Sequence, residues 1–160
     1  MVLLNQMPTA INSGKIDISS ERLIKQLAEK LAKYFKKGDI VFLYGEMGVG
    51  KTTFVRYLIN QFQINKNLKK TEVTSPTFNL LNEYLINGLN IKHYDLFRLK
   101  NKSEIKELNL FEESQDNILF IEWPQIIEKK YYSKTIKLFF NYEDNFQNRS
   151  LKIKGLKFLL

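Results

Sequence analysis

Leu23, Leu27 and Leu31 recur every four residues behind Ser19 and Ser20, with Ile24, Ala28 and Phe35 widening the stripe. That spacing predicts an amphipathic helix, capped by one of the serines, with one buried face. Lys36 and Lys37 fall where cations favour a helix C-terminus, and Gly38 predicts the stop. The next segment, Ile40 to Tyr44, is continuously apolar rather than alternating. It fits a strand covered on both faces, so it is expected at the centre of a parallel sheet. After a glycine-rich stretch, Phe54, Val55, Leu58, Ile59 and Phe62 return to helical spacing. The order is strand, loop, helix.

Asn87-Gly88 separates Leu80 to Ile86 from Leu89 to Phe97, and Asn-Gly supplies the positive φ angles of a two-residue hairpin turn. An antiparallel hairpin is expected to interrupt the α/β pattern. Ser103 to Leu108 reads as a short helix, and Asn117 to Ile121 as a second buried strand leading into Glu122-Trp123-Pro124, where Pro124 stops it. Thr135 to Tyr142 reads as another strand. Leu151, Ile153 and Leu156, interleaved with Lys152, Lys154 and Lys157, predict a half-exposed last one. Asn65 to Lys70, polar and basic, is the expected loop. These elements predict an α/β fold, a central mostly parallel sheet flanked by helices with the hairpin inserted, over one domain spanning residues 1–160.

Composition narrows the picture further. A chain of 160 residues with 44% hydrophobic residues carries too much apolar side chain to stay disordered, and charged or polar residues interrupt every apolar run before it could cross a bilayer. Met1 to Leu4 is too short for a signal core, and zero cysteines exclude disulfides, thiolate metal sites and cysteine nucleophiles. A cytoplasmic protein is expected. The net charge of +8 suits a polyanionic partner, yet only Arg22, Arg56, Arg98 and Arg149 are arginine, and the abundant Lys is also what a compositional bias would give.

Gly45-Glu46-Met47-Gly48-Val49-Gly50-Lys51-Thr52 matches G-x-x-x-x-G-K-[ST] in full, between the buried strand and the amphipathic helix. A loop that turns successive N–H groups toward a phosphate needs glycine where a Cβ would collide or φ is positive. Gly45, Gly48 and Gly50 meet that need. The helix N-terminus adds a partial positive charge, Lys51 can reach the β and γ phosphates, and the Thr52 hydroxyl can ligate Mg²⁺. Hydrolysis also needs an acid near the metal, and Glu122 ends a buried strand where such an acid is placed. His93 and Asp95 share one face of the second hairpin strand by alternation. Asp95 is the candidate for orienting an attacking water, whereas a lone strand histidine is more often structural. Thr74-Ser75-Pro76-Thr77-Phe78 offers hydroxyls on a Pro-fixed loop suited to sensing a γ phosphate, or an ordinary turn before a strand.

Four segments in this order, Gly45 to Thr53, Ser75-Pro76-Thr77-Phe78, His93-Tyr94-Asp95-Leu96-Phe97-Arg98-Leu99 and Ile121-Glu122-Trp123-Pro124, resemble the TsaE family of small bacterial ATPases. The resemblance covers about Ser20 to Arg149. It implies a P-loop NTPase fold, Mg²⁺-dependent ATP hydrolysis that is weak alone, and a role in threonylcarbamoyladenosine modification of tRNA next to the anticodon, with TsaB and TsaD. It places tRNA in contact through that complex. Carried over by position, Gly45 to Thr53 bind phosphates, Thr52 and Glu122 hold Mg²⁺, Asp95, Glu122 and Lys51 serve catalysis, and Trp123 supports the acid. Val49 and Phe97 depart from the family, which has a smaller residue and commonly a tyrosine there. Arg149 corresponds to an arginine near the nucleotide, and Ser20 and Glu21 fall in the region of the adenine contact.

Other readings are weighed against this one. Asn101-Lys102-Ser103-Glu104 departs from the guanine motif N-K-x-D at its last residue, which disfavours GTP. Four scattered arginines supply no kinase lid, leaving a small-molecule kinase as the second enzyme reading. A nucleotide-sensing binding module with little hydrolysis is the alternative of another class.

Overall fold

The computed structural model describes residues 10–11, 14–112 and 114–156. Met1 to Leu4 and Lys157 lie outside them. No helix among the described residues is long and apolar enough to cross a membrane.

Helix α1 (Glu21–Leu31) begins where the Ser20 hydroxyl accepts the Leu23 amide at 3.3 Å, and it buries Ile24, Leu27, Ala28 and Leu31. It ends earlier than the sequence suggests. Ala32–Tyr34 tighten into a 3₁₀ turn and Phe35 leaves in an extended conformation, with its ring edge-on to Phe120 at 5.6 Å. Lys36 and Lys37 therefore lie in the following turn, where Asp39 Oδ2 accepts the Lys36 amide at 2.8 Å.

Among the described residues eight strands form one sheet: β1 (Ala10–Ile11), β2 (Lys15–Asp17), β3 (Ile40–Tyr44), β4 (Leu81–Ile86), β5 (Leu89–Asp95), β6 (Asn117–Glu122), β7 (Ile136–Glu143) and β8 (Asn148–Lys154). Their order is β1-β2-β8-β7-β3-β6-β5-β4. The parallel part is confined to the centre, where β3 pairs with β7 and β6, and β6 with β5. The remaining ladders are antiparallel, so "mostly parallel" describes the middle of the sheet and not its flanks. The Asn-Gly turn forms as expected, with φ of 46° at Asn87 and 83° at Gly88. The hairpin does not interrupt the sheet, however. Its second strand, β5, is part of the parallel centre, and only β4 is added at the edge.

Alternation along the buried central strands sends side chains to two cores. Val41, Leu43, Ile118 and Phe120 face α1 and α2 (Lys51–Asn65), while Phe42, Leu119 and Ile121 face the layer that includes Ile105 of α3 (Lys102–Glu107). His93, Asp95 and Glu122 have the parity of the first set, and so stand on the side where α2 begins. Asn101 caps α3 through a reciprocal box with Glu104, whose Oε2 accepts the Lys100 and Asn101 amides at 2.9 and 3.0 Å. The near-match to a guanine motif is thus a helix cap.

Candidate functional site

Strand β3 ends at Tyr44, and the loop 45–50 returns the chain to α2, which starts at Lys51 with no side-chain cap. Its first amides are left for another acceptor. Gly45, Gly48 and Gly50 all have positive φ, at 147°, 78° and 118°. At Gly45 a Cβ would lie 2.7 Å from the Phe140 carbonyl oxygen and 2.9 Å from the Phe140 Cβ, so the loop is held against β7 by a contact only glycine permits. Gly45→Ala is expected to destabilise the chain by about 1–3 kcal/mol through strain at this position. Thermal or denaturant unfolding measures it, and an unchanged midpoint would show that the loop relaxes freely.

Lys51 is 4% exposed, and its ammonium donates to the carbonyls of Gly45 at 2.5 Å and Glu46 at 2.9 Å. The indole of Trp123 covers the same group, with Nζ 4.5 Å from the ring centroid. Burial lowers the Lys51 pKa, while Glu122, Asp95 and Glu46 pull it back up. The residue after it, Thr52, donates its hydroxyl to Glu122 Oε1 at 2.8 Å. A helix-start hydroxyl and a strand-end carboxylate, seventy residues apart in sequence, therefore meet at the mouth of the loop.

The two acids sit side by side because β5 and β6 pair Asp95 with Glu122. Asp95 is 3% exposed, with Oδ2 accepting the Thr77 hydroxyl at 2.8 Å and Oδ1 the Phe97 amide at 3.0 Å. Because Thr77 donates to Asp95, the 2.7 Å contact between the Ser75 and Thr77 hydroxyls is donated by Ser75. This chain ties the 75–78 loop to the acid strand. His93 Nε2 lies 2.8 Å from Glu122 Oε1, with both side chains buried.

These groups surround a cleft of about 430 Å³. Met47, Gly48, Gly50, Lys51, Thr52 and Thr53 form one wall, Asp95, Glu122 and Trp123 the floor, and Ser75, Thr77, Phe78, Phe97 and Arg149 the rest of the rim. Of the residues expected to line it, three do not. Gly45 and Glu46 contribute carbonyls to Lys51, and Val49 is fully buried in the core. Ser20 and Glu21 are also elsewhere: the first caps α1, and Glu21 Oε1 accepts the Tyr57 hydroxyl at 2.6 Å. Arg149 does reach the cleft, held by its Nη2 donation to the Ser19 carbonyl at 2.9 Å. Trp123 faces the lysine ammonium, and it does so from a left-handed backbone, φ 56° and ψ 52°. The link from His93 to Glu122 escaped the sequence reading. Its signal was the shared parity of His93 and Asp95, which has meaning only once β5 is known to lie beside β6.

Among the described residues no cluster of three or more His, Asp or Glu could hold a metal alone. The pair Thr52 and Glu122 suits Mg²⁺, which takes one or two protein oxygens and fills its shell with phosphate and water.

A model of the family described as threonylcarbamoyl adenosine biosynthesis protein TsaE matches residues 18–151. A Rickettsia typhi protein named for tRNA threonylcarbamoyladenosine biosynthesis, TsaE, is 39% identical over 142 residues, covering 89% of this chain and 95% of that one. The Rickettsia conorii protein of the same name is 45% identical over 111 residues, covering 69% of this chain and 61% of its own length. The crystal structure of YdiB from Bacillus subtilis superposes with a TM-score of 0.67 at 21% identity, covering 89% of this chain and 84% of that one, a likeness of fold.

Proposed function

This chain belongs to the TsaE family, and from that premise we propose that it binds ATP with Mg²⁺ and hydrolyses it in support of threonylcarbamoyladenosine modification of tRNA, acting with TsaB and TsaD proteins. The observation that carries the chemical part is the 2.8 Å contact between Thr52 and Glu122 at the mouth of the loop. Two oxygens suited to one hard cation converge beside the lysine and the open helix start.

In this reading the loop amides and Lys51 hold the phosphates, and Trp123 excludes water from the far side of the ammonium. Thr52 and Glu122 would hold the ion, which would supply positive charge to offset the negative charge that builds during transfer. Asp95 fixes the Ser75–Thr77 loop over the cleft and orients the attacking water. Arg149 lies on the rim, where its charge faces the nucleotide.

Both Asp95 oxygens already accept protein donors, from Thr77 and from the Phe97 amide. That supports slow intrinsic turnover and a partner-dependent rate. Asp95→Asn is expected to slow ATP hydrolysis by about 10-fold or more while shifting ATP affinity little, since positioned acid–base groups contribute to the rate and not to ground-state binding. A loss confined to affinity would reassign Asp95 to binding. The whole reading is tested by reconstitution with TsaB, TsaD and tRNA, measuring ADP release and modified tRNA in one tube. Modification that proceeds equally without this chain would overturn it, and modification without ATP consumption would favour a nucleotide-sensing module.

A further inference from the structure

We infer that His93 is a positioning residue: its Nε2–H donates to Glu122 Oε1 and holds that carboxylate in the orientation the metal requires. The inference rests on the reading of Glu122 as a metal ligand given above. His93 stands opposite Phe120 in the parallel ladder and Glu122 opposite Asp95, so the imidazole and carboxylate extend from adjacent strands onto the same face. The two side chains are 0% and 4% exposed, and Nε2 and Oε1 are 2.8 Å apart.

The proton's location follows from the other nitrogen. His93 Nδ1 is buried and, among the described residues, has no hydrogen-bond partner. A proton on Nδ1 would be a buried donor facing no acceptor, and would also leave Nε2 and Oε1 as two acceptors in contact. A ring proton on Nε2 removes the clash and makes the short contact a hydrogen bond. Glu122 Oε1 then receives two donors, from His93 and Thr52, which restrain the carboxylate's rotation and leave Oε2 outside both contacts. Outer partners of this kind orient metal ligands, and losing one typically costs about 10–100-fold in metal affinity or activity.

The chain has a single histidine, so long-range ¹H–¹⁵N correlation of the ligand-free full-length protein reads one imidazole only. The expected pattern has the proton on Nε2; a protonated Nδ1 with bare Nε2 would overturn the inference. His93→Gln places an amide N–H where Nε2 stands, whereas His93→Asn mimics Nδ1 and falls short of Glu122. The Gln variant is expected to keep the wild-type Mg²⁺ concentration for half-maximal ATP hydrolysis within about 3-fold, and the Asn variant to raise it about 10-fold or more. Equal losses in both, with melting curves showing both folded, would reduce His93 to packing. If wild type itself responds to no Mg²⁺, the metal reading has failed, and the imidazole spectrum still decides which nitrogen faces Glu122.

Discussion

Lys51→Ala is expected to weaken ATP binding by about 100-fold, roughly 3 kcal/mol, the upper range for a hydrogen bond to a charged group. The buried ammonium stands in the cleft wall, held by two loop carbonyls and an indole face. Removing it deletes the group aimed at the phosphates. It also leaves the Gly45 and Glu46 carbonyls without their partner. The fold should survive, because alanine is the best helix former and the buried Glu122 and Asp95 carboxylates keep their Thr52, His93, Thr77 and Phe97 partners. Calorimetry of ATP binding by the folded variant measures the effect, and unchanged affinity would mean that this loop does not hold the phosphates.

Glu122→Gln should lower Mg²⁺-dependent turnover by about 100-fold, roughly 2.7 kcal/mol in barrier height. Glutamine keeps the shape and an oxygen that can still accept from Thr52 and His93, so the substitution removes the charge alone. Alanine would instead strand both donors in a buried place and confound metal loss with instability. ATP binding without Mg²⁺ should be little changed, as Lys51 and the helix start remain. Wild-type rates of ADP release in Glu122→Gln would remove this carboxylate from the chemistry.

Much of the site was legible because its parts are local in sequence. The apolar run before Gly45, the glycines, Lys51 and Thr52 form one continuous strand, loop and helix, and four apolar residues leading to Glu122 announce a buried strand with a polar end. Asn87-Gly88 fixed its turn through backbone sterics alone. Pairing between distant strands was not legible. Nothing in Leu89 to Asp95 distinguishes a decorative hairpin from a central strand, since both are apolar on one face, and the contact of His93 with Glu122 depends on that distinction. β1 and β2 are short and carry no periodic signal, so the Ser19 carbonyl that anchors Arg149 could not be found by pattern. Trp123 stands between the strand-ending Glu122 and the Pro124 that stops the strand. Its left-handed φ, unusual for a bulky residue, accompanies tertiary contacts with Lys51 and Phe97 and is invisible to local preference.

That tryptophan is the chain's only one, with its ring centroid 4.5 Å from the Lys51 ammonium and 4.9 Å from that of Phe97. The ultraviolet emission selected at long excitation wavelength thus comes from a single chromophore lodged beside the lysine. Anything that draws the ammonium away changes that chromophore's surroundings, so the unlabelled protein carries its own optical gauge of events in the cleft.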